Sequence, residues 1–188
     1  MPLDAFCLAA VREELAGQIN GARIEKVQQP ERDLLILSLR GKNTLPCRLL
    51  ISAGSGDSRI HLTTHQFENP SPPPMFCMLL RKHISGARIV EIDQLPAERL
   101  LELVLAAPDA LGEVSEKRLI LELIGRIANI ILVGADGVII DCLRRVGDAM
   151  SDKRAVLPGL KYRYPMPQEG KLNPFELRVE RGELGVRR

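Results

Sequence analysis

The chain has no tryptophan, and its aromatic residues amount to only 3% of 188. Its core must therefore be assembled from Leu, Ile and Val, since 45% of the residues are hydrophobic and that share is ordinary for a folded domain. No run approaches the ~20 apolar residues that a membrane-crossing helix needs, and the N-terminal stretch "MPLDAFCLAAVREELAG" has no basic segment followed by an unbroken apolar one, so it does not read as a signal peptide. The four cysteines, Cys7, Cys47, Cys77 and Cys142, lack the close pairing of a zinc or redox motif. They are read as free, buried thiols of a soluble cytoplasmic protein. Charge of one sign is also missing: the formal net charge is +2, so any basic surface must come from local clustering. Neither a dinucleotide-type nor a Walker-type glycine motif occurs.

What is present reads as strands with two helices set apart. Asp4 caps a helix whose apolar positions Leu8, Val11, Leu15 and Ile19 recur at helical spacing. Strand-like runs follow at Arg23 to Gln28, at Leu34 to Arg40 and in "PCRLLIS", the first two separated by "PERD", a turn composition. The stretch "NPSPPPMFCMLLRKHISGARI" predicts a second helix near 74–84, with Pro74 in the first helical position, where the missing amide has no acceptor to lose. Phe76, Leu79, Leu80 and His83 would form its inner face, and Arg81 and Lys82 would project outward. Four more strand-like runs, "ARIVEID", "RLLELVLAA", "KRLILELIG" and "NIILVG", lead to Asp136-Gly137, a hairpin signal. Strands in runs, not alternating with helices, argue an α+β fold built on a largely antiparallel sheet or sandwich. Beyond Leu143 the composition becomes basic and rich in Pro and Gly, which reads as a linker or docking arm.

Candidate chemistry is sparse. His61 and His65 invite a metal, but they lie on a strand and loop with no carboxylate-rich partner set, so no metal and no cofactor are expected. Cys77 lacks an adjacent base, His83 being a turn and a half away, and reads as packing. Glu98 and Arg99 stand together before a strand, where a solvated ion pair is the plain structural reading. "LIGRIAN" interrupts two apolar strands with Gly125, Arg126 and Asn129, either as a bulge with a surface arginine or as a close approach to phosphate. In "KYRYP", Lys161 and Arg163 alternate with Tyr162 and Tyr164, a pattern suited to an unpaired nucleic-acid strand.

Read together, "GARIEKVQQP", "RIHLT", the proline-to-arginine stretch, "ERLLEL", "LILELIGRIANIILV" and "LPGLKYRYPMPQEGKLNP" resemble, in order, the N-terminal domain of the NFACT family. That family comprises the fibronectin-binding protein A, RqcH and NEMF-like ribosome quality control factors. The resemblance implies a non-enzymatic domain, cytoplasmic and ribosome-associated, that binds tRNA (alanyl-tRNA in bacteria) and the 50S subunit carrying a stalled peptidyl-tRNA, for C-terminal alanine tailing. It implies a tRNA-binding role for Glu98-Arg99, which aligns with an Asp-Arg pair of the family and has the longer acid. It implies the same for Glu122, Gly125, Arg126 and Asn129, within a patch where Ile127 and Ala128 replace the usual His-Ser. Arg81, Lys82, Lys161, Tyr162 and Arg163 are added as candidate RNA backbone contacts.

Residues 1–165 are expected to form the domain and 166–188 a linker toward a coiled coil outside this chain. The fold is expected to be similar to the N-terminal domain of formamidopyrimidine-DNA glycosylases, though Leu3 and Asp4 follow Pro2 where those enzymes have a glutamate, and base excision is not expected. A fibronectin-binding surface adhesin is the remaining alternative, and no signal or anchor in the sequence supports it.

Overall fold

The structure, a computed structural model, describes residues 4–41, 46–109, 111–147 and 154–166. Helix α1 (Ala5–Ile19) opens the fold, capped as its sequence requires: the Asp4 carboxylate accepts from the backbone N–H of Phe6 at 2.9 Å and of Cys7 at 2.7 Å. Strands β1 (Arg23–Glu31), β2 (Leu34–Arg40), β3 (Cys47–Ser52) and β4 (Arg59–Thr63) form an antiparallel meander. After α2 (Met75–Ile84) come β5 (Arg88–Gln94), β6 (Leu100–Pro108), β7 (Val114–Glu122), β8 (Asn129–Gly134) and β9 (Ile139–Cys142), again antiparallel.

The strand order is β4-β3-β2-β1-β5-β6-β7-β8-β9, but the two meanders meet through a single register pair, Arg23 opposite Arg88. Flanking backbone bonds from Gly21 to Ile89 (2.7 Å) and from Ile24 to Ala87 (2.8 Å) complete this narrow seam. One core takes side chains from both wings and both helices, including Leu8, Leu37, Ile51, Leu80, Leu103, Leu121 and Leu132. α1 packs on β4 and β5, and α2 on β1, β6 and β9, so each helix spans the two wings. Away from the seam, Arg144 ties the wings: its guanidinium donates to the Ala53 carbonyl at 2.7 Å and pairs with Asp33 at 2.8 Å.

Several expectations are met. The Asp136-Gly137 turn closes the β8–β9 hairpin, with Gly137 at φ +77, a conformation that glycine adopts without steric cost. Others are corrected. β1 runs on to Glu31 through Pro30, because the ladder breaks register between Gln28 and Glu31 and asks no amide of that proline. Pro74 is the cap of α2, one residue before its first turn. The inner face of α2 is Phe76, Cys77, Leu80 and Ile84, with Leu79 and His83 only partly covered.

Arg81 does not project freely, since its Nε donates to the Val27 carbonyl at 2.9 Å, whereas Lys82 is exposed. Cys7 is exposed and Cys47 partly so, while Cys77 and Cys142 are buried. Among the described residues no helix is long and apolar enough to cross a membrane.

The stretch beyond Leu143 also differs from its reading as an arm. Residues 154–162 return to the sheet through bridges between Val146 and Val156 and between Val138 and Lys161. Buried Val156 joins Leu100, Ile120, Ile131, Val133, Ile139 and Cys142 in a second apolar cluster on the other face of the β6–β9 wing. The expected linker, but for exposed Met166, lies outside the described residues.

Candidate nucleic-acid interface

Two loops converge at the end of the sheet where β5 passes into β6 and β7 into β8. The first is a tight turn: the Glu98 N–H donates to the Leu95 carbonyl at 3.0 Å, and Ala97 sits at φ +58, a left-handed conformation that costs a non-glycine residue roughly 1–2 kcal/mol. That left-handed alanine immediately precedes Glu98 and Arg99. The Gln94 side-chain amide donates to the carbonyls of Ala5 and Glu98, both at 2.9 Å, and so fastens the loop to the start of α1. The Asp4 carboxyl is held below the usual carboxylate range chiefly by its bond from Cys7, with the Arg99 cation adding to the effect.

The second loop follows at once. The Leu123 N–H donates to the Arg99 carbonyl at 2.8 Å, which sets the short 3-10 turn Gly125–Ile127 beside the first loop. Gly125 takes φ +51, and Arg126 and Ile127 are exposed at the tip. The structure thus brings Glu98, Arg99, Gly125 and Arg126 to one edge, with Ile127 67% exposed among them.

Glu122 and Asn129, expected beside them as contacts, are instead buried, at 3% and 2% exposure. Asn129 donates to the Arg144 carbonyl at 2.8 Å and accepts from the Arg144 N–H at 2.9 Å, so its polar atoms are occupied within the fold. Glu122 accepts from Arg154 at 2.5 Å and from the Tyr162 hydroxyl at 2.8 Å. A buried carboxylate needs such partners, because an unpaired one is costly to desolvate.

The basic-aromatic stretch is anchored to the fold chiefly through its first tyrosine. Tyr162 packs against the second apolar cluster, and its ring lies 5.4 Å from the Arg154 guanidinium carbon. Burial, then the Glu122 charge, pushes its phenol well above the ordinary tyrosine range. Tyr164 meets Tyr162 edge-on at 5.3 Å and donates to Glu102 at 2.6 Å. Lys161 donates to the Asp136 carbonyl at 2.9 Å. Of the four, Lys161, Arg163 and Tyr164 are exposed, and Tyr162, partly covered, cannot stack on a base without breaking its bond to Glu122.

His61 is occupied on β4, its Nδ1 2.9 Å from the Leu62 carbonyl, and His65 packs edge-on against Phe67 at 4.6 Å. No group of three or more His, Cys, Asp or Glu among the described residues could hold a metal ion. Cys77 lies 3.6 Å from the Val27 carbonyl, and burial raises its thiol, as suits packing more than catalysis.

Sequence reading missed Ala97, Gln94, Arg144 and Arg154. Only the last two left a trace: a carboxylate and an amide at inward positions of apolar strands require partners, and the basic stretch after Leu143 supplies them.

Comparison with known proteins gives the chain its relatives. The family model for the NFACT N-terminal and middle domains matches residues 4–184. The chain is 40% identical over 179 residues to the Rqc2 homolog RqcH of Bacillus subtilis, covering 94% of this chain and 31% of that protein. It is 29% identical over 174 residues to the human ribosome quality control complex subunit NEMF, covering 93% of this chain and 15% of that one.

Among solved structures, the N-terminal domain of the fibronectin-binding protein PavA from Streptococcus pneumoniae superposes with a TM-score of 0.88 at 36% identity, over 95% of this chain and 66% of that one. The N-terminal part of the fibronectin/fibrinogen-binding protein of Streptococcus suis gives 0.86 at 38% identity, over 93% and 65%. The chain spans about a third of the length of the bacterial RqcH relatives it matches. With the family match running nearly its whole length, the chain belongs to the NFACT family.

Proposed function

We propose that this chain is the tRNA- and large-subunit-binding domain of a cytoplasmic ribosome quality control factor, and that it recruits alanyl-tRNA for alanine tailing of stalled nascent chains without itself catalysing a reaction. One observation carries the reading: the Arg99 carbonyl and the Leu123 N–H join two loops so that Arg99 and Arg126 share one edge. Arginines so held can contact phosphate through fixed forks of donors, and Glu98 beside them can accept from a base or a ribose hydroxyl. The relatives named for ribosome quality control support the cellular setting.

The test is co-sedimentation of the intact protein with 50S subunits, followed by sequencing of the bound tRNA. Alanine tRNA is expected to be enriched, and Arg99→Ala to abolish the enrichment. Equal tRNA recovery with Arg99→Ala would overturn the reading.

The solved relatives named for fibronectin binding favour a second reading, as an adhesin. Binding of the protein to immobilised fibronectin, together with antibody detection on unlysed cells, would establish it. The likeness of this fold to glycosylase N-terminal domains stays a proposal about topology alone, tested by superposition on such an enzyme.

A further inference from the structure

The seam between the wings places like charges directly opposite one another. Arg40 faces Arg23 on β2 and β1, and Arg23 faces Arg88 on β1 and β5. Residues paired in this way share one face of the sheet about 4.5–5.5 Å apart, where equal charges destabilise. All three are exposed, and their neighbours Leu39, Ile24 and Ile89 point into the core.

A second rank lies on the same face beyond the bulge in β1: Lys26 opposite Ser38, Ser38 opposite Arg48, and Arg48 opposite Thr63. These four residues line a groove of about 740 Å³. Glu25 pairs with Arg40 at 2.9 Å, Glu91 follows Arg88 on the same face just past the bulge in β5, and Glu116 stands opposite Ala106, the β6 partner of Arg88. Arg88 is oriented by a 2.6 Å bond to the Gly21 carbonyl, and Arg48 by bonds to the carbonyls of Thr64 and His65.

We infer that this face, with Arg88-Arg23-Arg40 as one rank and Lys26-Ser38-Arg48 as the next, is a second RNA contact that takes the phosphodiester backbone without reading sequence. Five cations outnumber Glu25 within the two ranks and Glu91 and Glu116 at their Arg88 end, an excess that calls for a ligand with repeating negative charge, and the hydroxyls of Ser38, between Lys26 and Arg48, and of Thr63, beyond Arg48, suit phosphate oxygens. The inference rests on the RNA-binding reading for its choice of polyanion, but the site is separate: Arg88 begins β5 and the Arg99 loop follows its end, roughly 20 Å away at strand rise. A bound RNA would then be held at two points, one selecting and one merely attracting.

The test uses the intact protein and poly(U), which carries phosphate without tRNA shape. In salt titrations the Arg23→Gln/Arg88→Gln variant should lower the slope of log affinity against log salt by roughly 1.4, about 0.7 for each single-strand phosphate that is no longer neutralised. Arg23→Lys/Arg88→Lys should keep the slope. Without RNA and at low salt, Arg23→Gln should melt no lower than its parent, because it relieves repulsion; a merely structural arginine would give a lower melting temperature. Should the double variant not fold, Arg40→Gln, whose side chain is two-thirds exposed, should reduce the slope by itself.

An unchanged slope in folded variants overturns the inference. So does polyglutamate competing as well as poly(U) at equal charge, which would assign the face to an acidic polypeptide. Failure of the tRNA reading is distinguishable: Arg99→Ala/Arg126→Ala would leave the preference for tRNA over poly(U) intact, whatever the arginine rank does.

Discussion

Asn129 and Arg144 are joined by a reciprocal pair of hydrogen bonds, side-chain amide to backbone carbonyl at 2.8 Å and backbone N–H to side-chain oxygen at 2.9 Å. Beside them Arg126 stands in solvent. Neighbouring positions of one sequence patch thus divide into a support and a contact. Asn129→Ala strands backbone groups of Arg144 and should cost about 2–3 kcal/mol in urea denaturation. Arg126→Ala should stay within about 0.5 kcal/mol of the parent and weaken tRNA binding in filter assays. A stable Asn129→Ala protein would count against the support role.

The left-handed Ala97 makes a second contrast. Glycine accepts that conformation freely, so Ala97→Gly should leave stability equal or raise it by up to about 1 kcal/mol, whereas Ala97→Val should lower it by more than about 1 kcal/mol. Thermal melts would measure both. If Glu98 and Arg99 work as a fixed pair, Ala97→Gly should also bind tRNA less tightly despite its stability.

Tyr162 gives a test at alkaline pH. Its phenol titrates higher in the folded protein than in the unfolded chain, mainly through burial and then through Glu122. The unfolded state therefore releases this proton first, so the associated stability is full below pH about 10 and is lost as pH rises beyond it. Tyr162→Phe should be less stable at neutral pH by about 1–3 kcal/mol, since Glu122 loses a donor. It should also show a flatter decline above pH 10, followed by denaturant melts and by absorbance of ionised tyrosine.

His83 gives the mirror test in mild acid. Burial first, then the cations of Lys117 and Lys82, hold its imidazole below the ordinary value of 6.5. Here the unfolded chain takes up the proton first, so the associated stability is present above about pH 6.5 and lost as pH falls below it. His83→Gln should lose less stability than the parent between pH 7 and 5.5. Parallel curves for the two proteins would refute the assignment.

Thiol reactivity should separate the cysteines. Cys142 is pushed up to about 11 by burial and then by Asp141, and buried Cys77 is raised by desolvation. Exposed Cys7 should react first with an aromatic disulfide reagent, Cys47 next, and the two buried thiols only on unfolding. Its own raised value, caused by the Asp4 carboxylate, should keep Cys7 slower than a free thiol.

The sequence made the elements legible where local chemistry decides them: the Asp4 cap, the Asp136-Gly137 hairpin and the alternating strands needed no tertiary information. It held no sign of the narrow Arg23–Arg88 seam, because pairing between distant strands is set by how two wings enclose a core. Burial and internal partners at Glu122, Asn129 and Tyr162 went unforeseen for one reason. A polar side chain at a motif position reads as a contact until burial shows that it faces its own chain. Arg99 and Arg126 were legible as candidates, but their adjacency depends on the 2.8 Å bond between Arg99 and Leu123, a fact of register between β6 and β7.

The return of residues 154–162 to the sheet sets where this domain can be cut. A boundary drawn before Arg154 would strip Val156 and Tyr162 from Ile120, Ile131 and Val133, bare the flank of β9, and leave Glu122 without its cation. Such a fragment would keep every named strand and both helices and still present a sticky edge to its neighbours. For anyone expressing the domain alone, a boundary belongs no earlier than Tyr164, well after the last strand of the sheet.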